Sequence, residues 1–366
     1  MEHHIGYPLE TIAIFAAVVI FSVWLDLRLH RDGKDISIAN AMAWSLFWIF
    51  LAIAFYFYIK IHHGAEFAEL YLAGYILEKS LSVDNLMVFV AIFSSFGIRG
   101  ALQHRILYFG ILGAVVFRML FIAFGTTLFG LSTWIEFVFA AIVAWTGWKM
   151  LAGVGGDDEI EDYSDHWSVK MTQKLIPVYP RLHGHHFFVD RKHVEEITAQ
   201  DSSIVVARKA ALYATPMLLC LVVIEVSDII FAFDSVPAII AVTREPLLVY
   251  SAVIFAILGL RSLYFVLAAA QKYLVHLDKA VAALLFFIAF KLALQASNHM
   301  FHWPGFNISA NLSLMIILGT LAVGVIASLV FPAKDEPEDA SAARQAKVEE
   351  KIETREIEEA REQGPS

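Results

Sequence analysis

Two stretches decide the reading of this chain: Glu78-Lys-Ser-Leu-Ser-Val-Asp84-Asn85 and Glu225-Val-Ser-Asp228-Ile-Ile-Phe-Ala-Phe-Asp234-Ser235. Each places acids six residues apart inside an otherwise apolar run. A charged side chain at the centre of a bilayer costs roughly 2.5–3.5 kcal/mol even on lenient insertion scales. Five acids in two related segments therefore point to use, and the simplest use is to hold a cation within a membrane.

The surroundings support a membrane setting. The 366 residues are 58% hydrophobic and 17% charged, and the mean hydropathy is +0.64. Soluble domains carry about a quarter charged residues. About nine apolar runs reach the ~20 residues needed to cross, at about 8–29, 40–60, 66–97, 104–126, 131–152, 208–242, 248–270, 279–297 and 311–331. The expected fold is all-α: a polytopic helical membrane protein of about nine transmembrane helices.

Lys and Arg separate the connections into two sets. Arg28, Arg31, Lys34, Arg99, Arg105, Lys170, Lys174, Arg181, Arg191, Lys192, Lys272 and Lys279 fall on alternate loops, and the remaining loops hold only Lys60 and Arg244. The positive-inside rule then puts the N-terminus outside and the C-terminus in the cytoplasm. The net charge of −9 comes largely from residues 335–366, where eleven acids meet five basic residues. No basic surface suggests a nucleic-acid partner. The single Cys220 excludes a disulfide framework within the chain.

Charge order repeats along the chain. Glu78, Asp84, Arg118 and Lys149 in one set of runs are echoed by Asp228, Asp234, Arg261 and Lys291 in another. Each set spans three runs, so the second enters from the opposite side, as in inverted-repeat transporters whose sites lie near the midplane on interrupted helices. The expected organisation is two N-terminal helices (1–65), a first three-helix repeat (66–152), a cytoplasmic His-containing loop (153–207), a second three-helix repeat (208–297), a ninth helix (298–333) and a charged cytoplasmic tail (334–366).

On a continuous helix Glu78, Ser82 and Asn85 share a face, as do Glu225, Asp228 and Ser235. Asp84 and Asp234 lie about 120° away at 3.6 residues per turn. The acids meet only if the helices unwind or two faces border one cavity, and the sequence leaves both open. Arg118 and Arg261 read as counter-charges, and Lys149 and Lys291 as snorkelling residues near span ends. The candidate metal ligands are Glu78, Asp84, Asn85, Glu225, Asp228, Asp234 and Ser235. This oxygen set admits Mn²⁺, Mg²⁺ and Ca²⁺ alike. The histidines at 3–4, 62–63, 183, 185, 186, 299 and 302 match no zinc spacing.

The two motifs, E-x-x-L-S-x-D-N at 78–85 and E-x-x-D-x-x-F-A-x-D-S at 225–235, resemble those of the TerC family of integral membrane proteins, in particular its Alx-like bacterial branch. The resemblance covers roughly residues 8–331. It implies manganese export across the bacterial inner membrane, with Mn²⁺ as transported substrate and the matched acids as the ion site. No organic cofactor is implied. No nucleotide-binding G-x-x-x-x-G-K-[ST] is present, so the expected mechanism is secondary transport, with proton exchange as a natural coupling. The expected partners are the lipid bilayer, a divalent metal ion and protons.

Two alternatives stand beside it. One is a membrane assembly or metallation role, with protein partners recruited through 153–207 or the tail. The other is an intramembrane enzyme with an Asp dyad. The glycine-aspartate context of such enzymes is missing before Asp234, and the chain is expected not to be an enzyme.

Overall fold

The computed structural model describes residues 8–29, 37–153, 163–179, 182–200, 210–270, 276–301 and 308–331. Helices stand at every expected apolar run: α1 (Leu9–Leu29), α2 (Ile38–His62), α3 (Ala65–Ser95), α4 (Ala101–Leu131) and α5 (Thr133–Gly153). A short connecting region holds α6 (Trp167–Leu175), β1 (Phe188–Asp190), α7 (Arg191–Gln200) and β2 (Leu212–Ala214). Then come α8 (Pro216–Val242), α9 (Pro246–Ile257), α10 (Leu260–Ala270), α11 (Leu277–Phe301) and α12 (Ala310–Val330). The charged tail beyond 331, His3, His4 and His302 lie outside the described residues.

Six of these helices are long and apolar enough to cross a membrane, namely α2, α4, α5, α8, α11 and α12; the bent α9–α10 pair makes seven. The expectation was nine. The 31-residue α3 is long enough, but Glu66, Glu69, Glu78, Lys79 and Asp84 keep it from reading as a span by composition. The outer surfaces fit lipid contact: Phe50, Phe57, Leu120, Phe124, Trp145, Val323 and Leu329 are exposed large apolar side chains. Such a surface would be an aggregation hazard in water. The chain is a polytopic helical membrane protein.

The core is built from α3, α4, α5, α8, α9 and α11. The α5–α11 pair is the most extensively packed. These two helices run antiparallel, because Gly147 near the end of α5 meets Leu285 and the Ala282 carbonyl near the start of α11. A second, aromatic cluster joins α2 and α3 to α9 through Trp48, Phe55, Tyr71, Tyr75 and Phe255.

The lead helices α3 and α8 run without interruption through their acids, so local unwinding at the acids is not what brings them together. Pro216 sits in the first turn of α8, where its missing N–H costs nothing. The break lies elsewhere. Helices α9 and α10 bend by 55° at Leu258–Gly259, where Gly259 has φ of 81°. The Trp48 indole fills the space a side chain on Gly259 would need. The carbonyls freed at the end of α9 gain a donor from α3: Lys79 Nζ lies 3.0 Å from the Ala256 oxygen.

The region between α5 and α8 is more than a linker. Strands β1 and β2 pair antiparallel, with Phe188 opposite Ala214 and Asp190 opposite Leu212. Tyr179, Val189, Val194 and Tyr213 form a small buried cluster of their own.

Candidate ion-binding site

The continuous α3 sends its acids to two faces. Glu78 turns toward α4 and α8, where it makes a direct ion pair with Arg118. Arg118 also grips Asp228 of α8 in bidentate fashion, with Nη2 to Oδ1 at 2.8 Å and Nε to Oδ2 at 3.3 Å. Arg118, Glu78 and Asp228 are 1%, 0% and 4% exposed. One arginine of the first helix group therefore serves an acid from each group. Through these two ion pairs Arg118 joins α3, α4 and α8.

Asp84 points the other way. It lines a cavity of about 250 Å³ together with Leu81, Asn85, Thr146, Lys149, Met150, Phe231, Ser235 and Leu285. These residues come from α3, α5, α8 and α11, so the cavity lies between the two helix groups. Its polar lining is not satisfied internally. Both carboxyl oxygens of Asp84, Nδ2 of Asn85 and Oγ of Ser235 are buried with no hydrogen-bond partner among the described residues. Buried polar atoms without partners are rare in folded proteins, and a buried carboxylate needs a cation, a donor or a proton.

Two further acids stand outside the cavity lining. Asp278, in the first turn of α11, stands beside Asp84. Glu225 of α8 occupies the notch left by the absent side chain of Gly113 in α4, and its Oε2 is buried without a partner among the described residues. Asp234 lies in α8, but its side chain is outside the described residues. Arg261 is buried in α10, just past the helix break. Among the described residues no three His, Cys, Asp or Glu side chains are grouped to hold a metal ion. The cavity offers side-chain oxygens from Asp84, Asn85, Thr146 and Ser235, with Asp278 alongside; the Thr146 hydroxyl donates to the Ile142 carbonyl at 3.1 Å.

The lysines differ from expectation. Lys149 is exposed and borders the cavity, which suits a snorkelling residue. Lys291 does not snorkel. It is 2% exposed, and Nζ lies 3.4 Å from the Val242 carbonyl at the end of α8. It serves a helix terminus, where carbonyls lack intrahelical partners.

The histidines are tied into the protein. His62 Nδ1 is 3.0 Å from the Tyr58 carbonyl, and His63 Nε2 is 2.7 Å from Thr11 Oγ1. On the connecting region the His183 ring lies 5.9 Å from that of His186 and 4.8 Å from that of His193.

Asp278 and Glu136 are not among the candidates singled out from the sequence: Asp278 adjoins a loop marked by Lys272 and Lys279, and Glu136 lies within an apolar run. Both sit in the first turn of a helix, where acids complement the helix dipole. That signal was available.

This fold and site define a multi-pass helical membrane protein with buried acids between two helix groups. Residues 63–336 match the Integral membrane protein TerC family, and the chain belongs to that family. It is 54% identical over 340 residues to the "Tellurium resistance protein TerC" of Serratia marcescens, covering 92% of this chain and 98% of the relative. It is 52% identical over 340 residues to the protein of the same name from an Alcaligenes species, with the same coverage. Against the "Putative membrane-bound redox modulator Alx" of Escherichia coli (strain K12), identity is 36% over 296 residues, covering 78% of this chain and 86% of the relative. No solved structure matches the chain.

Proposed function

We infer that this protein is a secondary transporter, not an enzyme, and that it exports a divalent cation, Mn²⁺, from the cytoplasm across the bacterial inner membrane. The N-terminus then faces outward and the C-terminus the cytoplasm, as the loop charges indicate. The observation that carries this reading is Asp84. Its two carboxyl oxygens are buried on a cavity between the helix groups, and the group within hydrogen-bonding reach of them, Asp278, is itself an acid. A cation or a proton is the missing partner, and exchanging one for the other would couple export to proton entry. Asn85 and Ser235 add neutral oxygens of the kind hard cations prefer. The triad of Glu78, Arg118 and Asp228 supplies a fixed joint beside this site.

The test is export in a manganese-sensitive bacterial strain, with cellular manganese read by mass spectrometry. The parent chain lowers manganese content and restores growth. Asp84→Asn is expected to abolish both while the protein is still recovered folded from membranes. Full protection by that variant would overturn the site.

A second reading follows from two relatives at 54% and 52% identity that are named for tellurium resistance. Tellurite tolerance of the same strain, scored in parallel, separates the two. Protection against tellurite that survives Asp84→Asn would assign resistance to a different part of the protein.

A further inference from the structure

A polar cluster closes the far end of the α5–α11 pair. Glu136 stands in the first turn of α5, Arg244 in the linker between α8 and α9, and His299 in the last turn of α11. Arg244 Nη2 donates to Glu136 Oε2 at 2.8 Å. His299 Nδ1 lies 3.3 Å from Arg244 Nη1 and 3.3 Å from Glu136 Oε1. The Arg244 guanidinium also sits 5.3 Å from the centre of the Phe129 ring at the end of α4, within cation–π range.

Two aspects set this cluster apart from ordinary packing. First, it joins the two helix groups: Glu136 and Phe129 come from α3–α5, Arg244 and His299 from α8–α11. Second, its position is opposite the cavity. Thirteen residues separate Glu136 from the cavity residue Lys149, about 20 Å at 1.5 Å per residue. On the antiparallel α11, fourteen separate His299 from Leu285, about 21 Å by the same rise. The groups are thus tied at one end of the pair and lined by unsatisfied polar atoms toward the other.

Alternating access needs one end held shut while the other admits the ion. The tie is suited to this. The Glu136 side chain is 5% exposed, which anchors it, whereas the Arg244 and His299 side chains are 28% and 42% exposed. A small separation of the helix ends would hydrate the two bases and release the carboxylate. We propose that Glu136, Arg244 and His299 form the gate on the membrane face opposite the cavity, closed in this conformation and opened when the two helix groups part. The gate rests on the transport reading, and its test is chosen so that the two fail separately.

The test uses the full-length protein in detergent, where both faces meet the reagent. Cys220, buried and the only native cysteine, is replaced by Ser, and Thr243→Cys places a thiol at a 1% exposed position beside Arg244. A water-soluble maleimide should modify this thiol slowly. Glu136→Gln and Arg244→Gln should each raise the rate about tenfold, the effect of losing a charge-assisted hydrogen bond. His299→Gln should raise it less. Exchanging the charges, Glu136→Arg with Arg244→Glu, should restore slow modification, which separates a gate from general loosening. Unchanged rates in the single variants, or an increase that the exchange does not reverse, overturn the gate. In vesicles, bridging Glu136→Cys and Arg244→Cys with a short bis-methanethiosulfonate reagent, which spans more than a direct disulfide can, should stop metal flux, and reductant should restore it. Flux through the locked protein overturns the gate; no flux in the unmodified parent overturns the transport reading and leaves the modification result standing.

Discussion

The two helix groups carry similar charges in the same order but use them differently. In the first group the middle helix, α4, is an unbroken 31 residues. In the second its counterpart is bent by 55° between α9 and α10. Arg118 of the first group reaches across to Asp228 of the second. Lys149 ends α5 at the exposed edge of the cavity, while Lys291 is buried and holds the end of α8. A charge pattern in sequence therefore does not transfer its role with its position. What a buried charge does depends on which helix terminus or carboxylate the packing brings to it.

The comparison can be broken at several points. Arg118→Gln has the largest expected effect. It leaves Glu78 and Asp228 buried without their shared partner, a loss of about 3–5 kcal/mol. The outcome should be little folded protein on size-exclusion after detergent extraction, with partial recovery in Arg118→Lys. Next is Gly259→Ala at the helix break. Its positive φ and the Trp48 indole together oppose a side chain, and strain of this kind costs about 1–3 kcal/mol. The thermal midpoint should fall, and the double variant with Trp48→Ala should lose less than the sum of the two single losses.

Lys291→Met removes one donor to the end of α8, worth about 1–1.5 kcal/mol. Lys149→Met removes none and should stay within about 0.5 kcal/mol. Thermal midpoints of the two variants, measured side by side, check the asymmetry; equal shifts would show that the lysines are equivalent after all. Gly113→Ala is expected to be modest in stability but visible in metal export. A methyl in the Glu225 notch forces the carboxylate to turn away, so export should fall while the midpoint changes by about 1 kcal/mol or less.

Much of the architecture was legible in the apolar runs. The run at 131–152 became α5 at 133–153, and that at 311–331 became α12 at 310–330. Helix existence follows from local hydropathy, which the sequence carries directly. The break at Gly259 was not legible, because 248–270 is apolar throughout and the bend depends on Trp48 arriving from α2. Unwinding at the acids was one of the two arrangements the sequence left open, yet α3 and α8 are both continuous. In α3 the six-residue spacing on a continuous helix sets Glu78 toward Arg118 and Asp84 toward the cavity. The acid beside Asp84, Asp278, comes from a helix almost two hundred residues on. No local pattern could pair them.

The Arg118 triad has an electrical consequence. With both acids ionised, one guanidinium facing two carboxylates leaves a net charge of −1 at the centre of the helix assembly. A charge moved through the full membrane potential is worth about 2.3 kcal/mol per 100 mV. Any rearrangement that shifts α3 and α8 together with Arg118 along the membrane normal would therefore be driven or resisted by voltage. The joint that holds the two groups together would then also be the element through which the cell's membrane potential acts on them.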